Sequence, residues 1–245
     1  IIFRGEDNSY YEKFSDGKVV CIDEEIPFEI PENWMWCRLG DIVNNRDAER
    51  IPLSVSVRST QKNKIYDYYG PGGAFDKVDG YIFDKRLLLI GEDGANLITR
   101  SKPNAFFADG KYWVNNHVHV LDNYIVDSIL LEYIKLRING MSLADYITGT
   151  AQPKMNQDKM NSIPIPLPPL AEQHRIVEKV EEVLPFVDDY NKAQSKLDDL
   201  NIQLPDVLKK SILQEAIQGK LVPQCPDDEP ASVLIQRIPK EQPHL

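Results

Sequence analysis

Ile163-Pro164-Ile165-Pro166-Leu167-Pro168-Pro169-Leu170 divides this chain into two kinds of sequence. Proline fixes φ and lacks a backbone N–H, so prolines at alternate positions exclude helix and impose an extended or polyproline strap. Before the strap the pattern changes every few residues. Short β-like runs, among them Tyr81-Ile82-Phe83, Arg86 to Ile90, Lys111 to Val114 and His117 to Leu121, alternate with turns at Gly70-Pro71-Gly72-Gly73, Asp79-Gly80, Glu92-Asp93-Gly94 and Asp109-Gly110. From Trp34 to about Leu121 this predicts a strand-rich globular domain. Helices over Ser128–Asn139, stopped by Asn139-Gly140, and over Ser142–Ile147 come after it. A loop rich in Gly, Thr and Gln then leads into the strap.

Beyond the strap the period changes. Ile176, Val180, Val183, Val187, Tyr190, Leu197 and Leu204 fall on a 4-3 spacing whose intervening positions are Gln194 and Asn201. A helix over Ala171–Leu204 would be roughly 50 Å long at 1.5 Å per residue, and its amide-interrupted apolar stripe needs a partner helix. Pro185 is expected to kink it and Pro205 to end it, with a second helix over Asp206–Gln218 closed by Gly219. The tail after Pro223 reads as loose, apart from a turn of helix over Ala231–Ile238. At the other end, residues 1–30 are polar and acidic with little periodicity and read as a lead-in linker. The fold expected is α+β: a domain over 31–170, a helical region over 171–222 and a tail over 223–245.

The bulk numbers bound the function. With 245 residues, 42% of them hydrophobic, the chain is long enough to bury a core, which excludes disorder. Leu87-Leu88-Leu89-Ile90 is its longest apolar stretch and is too short to span a bilayer. Residues 1–7 lack the features of a secretory signal and an initiator Met, so the chain reads as a fragment or processed form. Cys21, Cys37 and Cys225 are odd in number and form no C-x-x-C pattern, which argues against disulfides and zinc and for a reducing cytoplasm. A net charge of −10 opposes DNA binding, since phosphates want Lys and Arg. The excess acidity lies on the flanks, however: residues 31–170 carry sixteen basic and sixteen acidic side chains.

Three stretches together resemble the specificity-subunit family of type I restriction-modification enzymes. Ile26-Pro-Phe-Glu-Ile-Pro-Glu-Asn-Trp-Met-Trp-Cys-Arg-Leu-Gly-Asp41 is similar to the start of that family's target-recognition domain. Gly149-Thr-Ala-Gln-Pro-Lys154, the strap, and Ala171-Glu-Gln-His-Arg-Ile176 resemble its exit into a spacer helix. Leu208-Lys-Lys-Ser-Ile-Leu-Gln-Glu-Ala-Ile-Gln-Gly-Lys-Leu-Val-Pro-Gln224 resembles the end of the conserved helical region. Order and spacing match over nearly the whole chain. The resemblance implies two recognition domains per full subunit, joined by helices in an antiparallel coiled-coil-like spacer. Each domain reads half of a split duplex DNA target for methyltransferase and restriction subunits. This chain matches one half, either the second half of a two-domain subunit or a naturally separate half that pairs with a second copy.

No catalytic motif accompanies this. Pro168-Pro169 follows Leu167 rather than the Asn or Asp of an adenine methyltransferase, and Gly91-Glu-Asp-Gly94 fits no cofactor loop and reads as a tight turn facing DNA. His117 and His119 share a strand face without a third metal ligand, so neither metal nor cofactor is expected. Phosphates favour Lys and Arg, and base edges favour Arg, Asn and Gln. Three polar clusters meet that need: Arg58, Thr60, Gln61, Lys62 and Lys64 with Tyr69; Arg100 and Lys102 with Lys111; and Gln152 and Lys154. Each also reads as ordinary solvated surface. Trp34, Trp36 and Trp113 read as packing residues. In the helical region ten acidic side chains between Glu172 and Glu215 outnumber seven basic ones, which favours protein partners over DNA. A non-DNA helical adaptor is the alternative, separated by whether duplex DNA is bound; a stand-alone enzyme would reveal itself by methyl transfer or cleavage.

Overall fold

The computed structural model describes residues 1–124, 130–149 and 152–238. Ser128, Ile129, Thr150, Ala151 and the tail from Pro239, on which parts of the helix, loop and tail expectations fall, lie outside the described residues. By contacts the chain divides into Ile1–Glu182 and Val183–Leu245.

Residues 1–30, expected as a lead-in linker, are folded. They form an antiparallel meander of β1 (Ile2–Arg4), β2 (Tyr10–Lys13) and β3 (Val19–Cys21). Such short strands carry almost no period-2 pattern, which is why the sequence reads as structureless. Ile2, Tyr10 and Ile22 cluster with Trp36, 2% exposed, from β4 (Met35–Arg38). The Arg38 guanidinium then bonds Glu12 at 2.6 Å, Glu25 at 2.8 Å and the Ser162 carbonyl at 2.7 Å, tying the meander to β4 and to the residues that lead into the strap.

Next come α1 (Leu39–Ile42), β5 (Asn44–Asn45), α2 (Val55–Thr60), β6 (Tyr66–Gly70), β7 (Gly73–Val78), β8 (Phe83–Asp84) and β9 (Leu87–Gly91). They continue with α3 (Asn96–Thr99), β10 (Ala105–Ala108), β11 (Lys111–Val114), β12 (Val118–Asp122), α4 (Leu130–Gly140), α5 (Gln157–Asn161) and β13 (Pro164–Leu167). The expected second helix is a single 3-10 turn at Ala144–Tyr146. Two four-stranded sheets result, ordered β10-β9-β12-β5 and β7-β6-β11-β8.

All residues of β9 and β12 are buried, and their alternation decides the layering. Leu88, Ile90 and Leu121 face a core shared with Leu39, Ile134, Ile138, Met160 and Ile165, the helical side. Leu87, Leu89, Val118 and Val120 face the opposite way, onto Phe83, Tyr112 and Val114 of the second sheet. Each of the four β9 side chains Leu87–Ile90, at 0% exposure, contributes about 2–3 kcal/mol as an upper bound.

The proline strap is strand β13, antiparallel to β4, with Ile165 opposite Cys37 and Leu167 opposite Met35. Leu39 N–H donates to the Ile163 carbonyl at 2.9 Å, which sets the phase of the ladder. Pro164 and Pro166 therefore fall where an edge strand needs no N–H.

From the strap, α6 (Leu170–Ile217) runs for 48 residues through both Pro185 and Pro205. Pro205, expected to end a first helix, instead sits inside one. Proline removes one backbone bond and favours a kink, but the good helix formers on either side supply the remaining ladder. The stop is Gly219, at φ 70°, with Gly219 N–H on the Ala216 carbonyl and Lys220 N–H on the Glu215 carbonyl, a Schellman cap. Within the first unit Gln173 and Val177 are buried and Ile176 packs on the core, while Val180 is half-buried. In the second unit Val183, Val187, Tyr190, Leu197 and Leu204 are 41–66% exposed. A short helix, α7 (Ala231–Arg237), lies in the tail where a turn of helix is expected.

Candidate nucleic-acid interface

The cationic cluster on α2 is more committed than its sequence shows. Ser54 caps α2 through the Val57 N–H, and Arg58 turns inward: its guanidinium pairs with Asp76 at 2.8 Å, lies over Tyr68 at 4.8 Å and donates to the Leu53 carbonyl. Lys64 shares Asp76 at 3.5 Å, and the Gln61 side chain accepts from Asp79 N–H. Thr60 donates to the Val57 carbonyl, and Lys62 is exposed. On the same sheet Lys111 lies over the Tyr81 ring at 4.8 Å. Tyr69 points into the core between the sheets, against Phe106 and Tyr112.

Arg100, at a left-handed φ of 50°, closes α4 by donating to the Ile138 and Asn139 carbonyls. Lys102 is held by its backbone, which exchanges two bonds with the Asn96 side chain, and its own side chain is exposed. The Trp113 indole donates to the Ile51 carbonyl at 2.6 Å, and Trp36 is buried, so both pack.

The third cluster is where separate segments converge. Thr148 and Lys154 exchange both backbone bonds at 2.8 Å, which closes the ends of a loop on one another, and Gln152 is exposed to solvent. Gly149 is required there: its φ is +83°, and a Cβ would meet the Gln152 carbonyl oxygen at 2.7 Å. The Glu92–Gly94 turn, directly after β9, docks against this loop through Gly94 N–H on the Pro153 carbonyl at 3.1 Å and Met155 N–H on the Glu92 carbonyl at 2.8 Å. His117, just before β12, joins them with Nδ1 2.5 Å from Asp93, and Glu92 N–H bonds its carbonyl.

Under this surface lies a network that sequence reasoning missed. Lys154 Nζ is 3.1 Å from Glu92, and the other Glu92 oxygen takes Arg50 at 2.9 Å. Arg50 also donates to the Val118 carbonyl and lies 3.4 Å from Asp47. Asp47, 5% exposed at its side chain, accepts from Val120 N–H at 2.8 Å and sits 2.6 Å from Nδ1 of His119, whose Nε2 faces the Met155 carbonyl at 2.8 Å. Both ring nitrogens thus face oxygens inside the domain. Burial pushes the Asp47 carboxyl up, but the His119 bond and charge, the Val120 N–H and Arg50 outweigh it and hold the group below its ordinary value. Glu92 is lowered likewise: burial opposes, and the bonds from Arg50 and Lys154 prevail. Apart from Asp47 and Arg50, three residues apart, these partners lie tens of residues apart in the sequence, so no local spacing reveals them.

Elsewhere the chemistry is less suited to DNA. A groove of about 1170 Å³ beside the meander carries Glu12, Glu24, Glu25, Asp41 and Asp145 against Arg38, Arg137 and Lys159, an acidic balance that repels phosphate. Burial pushes the Cys37 thiol up to about 12, far from a reactive thiolate. Among the described residues no three His, Cys, Asp or Glu side chains gather as metal ligands, and no helix is long and apolar enough to cross a membrane.

Two sheets backed by helices, with loops at the ends of buried central strands and a long helix following in the sequence, make this an α+β chain. The model of the type I restriction modification DNA specificity domain matches residues 31–196, and the chain belongs to that family. It is 30% identical over 142 residues, 58% of this chain and 35% of the relative, to a putative type I restriction enzyme specificity subunit of Haemophilus influenzae. It is 26% identical to the EcoDI specificity subunit of Escherichia coli, covering 90% of this chain and 51% of that one. The chain therefore spans about a third to a half of these relatives. A solved chain described for the complex assembly and conformational transition of the type I R-M system superposes with a TM-score of 0.55 at 19% identity, over 80% of this chain and 48% of that chain, which bears on the fold alone.

Proposed function

We propose that this chain is a non-catalytic DNA-recognition module that reads one half of a bipartite duplex target within a type I restriction-modification system. The observation that carries the reading is the convergence of the 92–94 turn, the Thr148–Lys154 bridge and His117 on a charged base, within a domain of the specificity family. Loops fixed by buried strands hold side chains at the precision base readout needs. Gln152, Lys154, Lys102 and Lys62 are the exposed groups best placed to bond bases or phosphates, and Lys64 and Lys111 add positive charge on the second sheet. Arg58, Arg100 and Tyr69, drawn into the interior, act by shaping these loops. The exposed stripe of α6 would be covered by an antiparallel helix, from a second copy or from the other half of a longer subunit, and its acidic surface would receive methyltransferase and restriction subunits.

The test is duplex binding by the full chain with methyltransferase subunits, by fluorescence anisotropy at low and moderate salt. Sequence-dependent binding supports the reading. Its absence leaves the adaptor alternative, and methyl transfer or cleavage by the chain alone refutes the non-catalytic part.

A further inference from the structure

His119 and His117 lie two residues apart and are used differently. His119 is 1% exposed and has both ring nitrogens engaged inside the domain. His117 has a side chain 49% exposed, one nitrogen on Asp93, and no hydrogen-bond partner for Nε2 among the described residues. A half-exposed pair of this kind is screened by solvent and adds little to the stability of a fold, so stability does not account for the arrangement.

Its backbone, by contrast, is held on every side. His117 N–H donates to the Asn115 side chain at 2.9 Å, its carbonyl accepts from Glu92, and Arg50 bonds the next carbonyl, Val118, at 2.6 Å. Asp93, 19% exposed at its side chain, sits on the turn bridged to Lys154. The charged groups around the imidazole are therefore Asp93 and Glu92 on the turn, Arg50 behind, and Lys154 across the loop. A ring whose Nδ1 is held by a carboxylate has its other nitrogen fixed in direction, and that nitrogen donates when both ring nitrogens carry a hydrogen.

We propose that His117 Nε2 is a DNA contact, donating to an acceptor oxygen or nitrogen on the duplex, and that Asp93 is the residue that positions it. This rests on the recognition reading above and adds a residue to it. The shared chemistry is a hydrogen-bond acceptor, supplied by either a phosphate or a base edge. The two sources separate by experiment: a phosphate contact weakens binding to every sequence and lowers the salt slope by about 1, whereas a base contact weakens only the preferred target.

The full chain with methyltransferase subunits is first used to select a preferred duplex from a randomised pool. Affinity is then measured for wild type, His117→Ala, His117→Gln and Asp93→Asn between about pH 6 and pH 8. His117→Ala should bind roughly tenfold more weakly, the loss of one good contact. His117→Gln, which keeps a donor, should recover part of that and lose the pH dependence. Asp93→Asn should displace the pH profile of binding, because the group facing Nδ1 no longer carries a charge. Unchanged tryptophan-monitored unfolding of all three shows that they fold. Wild-type binding with an unaltered His117→Ala affinity overturns the proposal alone, as does a pH profile that Asp93→Asn leaves unmoved. Failure of the wild type to bind any duplex overturns the recognition reading and this proposal with it.

Discussion

Replacing Asp47 by Ala tests whether the charged network holds the 92–94 turn and the Thr148–Lys154 bridge to the central sheet. The substitution strands the His119 ring, 1% exposed, with Nδ1 facing no acceptor, and leaves Val120 N–H unpaired. Breaking a buried charged pair by deleting one partner costs about 3–5 kcal/mol, and an orphaned buried N–H adds about 1–3. Arg50 moderates the sum, since it keeps Glu92 and the Val118 carbonyl. A loss of about 4 kcal/mol is expected, a large share of the roughly 5–15 kcal/mol that keeps a domain folded. Asp47→Asn retains an acceptor without charge and should lose about half as much. Urea unfolding followed by tryptophan emission is the assay, because Trp34, Trp36 and Trp113 all lie within Ile1–Glu182 and report that unit alone. The double variant Asp47→Ala/His119→Leu should cost at least about 1 kcal/mol less than the sum of the single variants, since the ring left unpaired is gone. An Asp47→Ala loss under about 1 kcal/mol, or strict additivity, would refute the reasoning.

Asp47 and Glu92 are both held below their ordinary values, so their stabilisation is complete above the unfolded carboxylate range and is lost as pH falls through the folded values. The urea midpoint should therefore decline below about pH 4.5, less steeply in Asp47→Asn; a midpoint that rises on acidification contradicts this. Gly149→Ala forces a side chain into a left-handed backbone against the Gln152 carbonyl, at about 1–3 kcal/mol. Amide exchange at Thr148 and Lys154 should accelerate roughly tenfold or more, and unchanged exchange would show that the loop is not under that constraint. In the second unit, Leu197→Lys places a charge on the exposed stripe and should weaken helix-mediated self-association at least tenfold in sedimentation, or association with the other half where that half is the partner. Equal association by the variant would move the contact to another face.

How legible each part is depends on how local its cause is. Lys111–Val114 has the bounds its sequence implies, and β9 is displaced by one residue from Arg86–Ile90, because turn residues bracket unbroken apolar runs. The strap reads as extended from its prolines alone; that its partner is β4, well over a hundred residues earlier, is a tertiary fact with no local trace. The meander escapes notice for the opposite reason: its strands are too short for alternation, and its core is completed by Trp36 from outside. At the site, a density of cations reads as exposure. Arg58 shows why that inference is loose, since the carboxylate that draws it inward is Asp76, eighteen residues on in the sequence. The Asp47–His119 and Arg50–Glu92–Lys154 pairs are invisible for the same reason.

Because β4 and β13 are paired, the chain comes into the domain and leaves it one strand spacing apart, about 4.8 Å. Everything between Arg38 and Ile163 is in effect a closed excursion from a fixed doorway. Loops within that excursion can lengthen, shorten or change composition without moving the point at which α6 begins. Under the proposed reading, targets could thus diversify while the strand pair from which α6 departs stays constant, as long as the two doorposts remain joined.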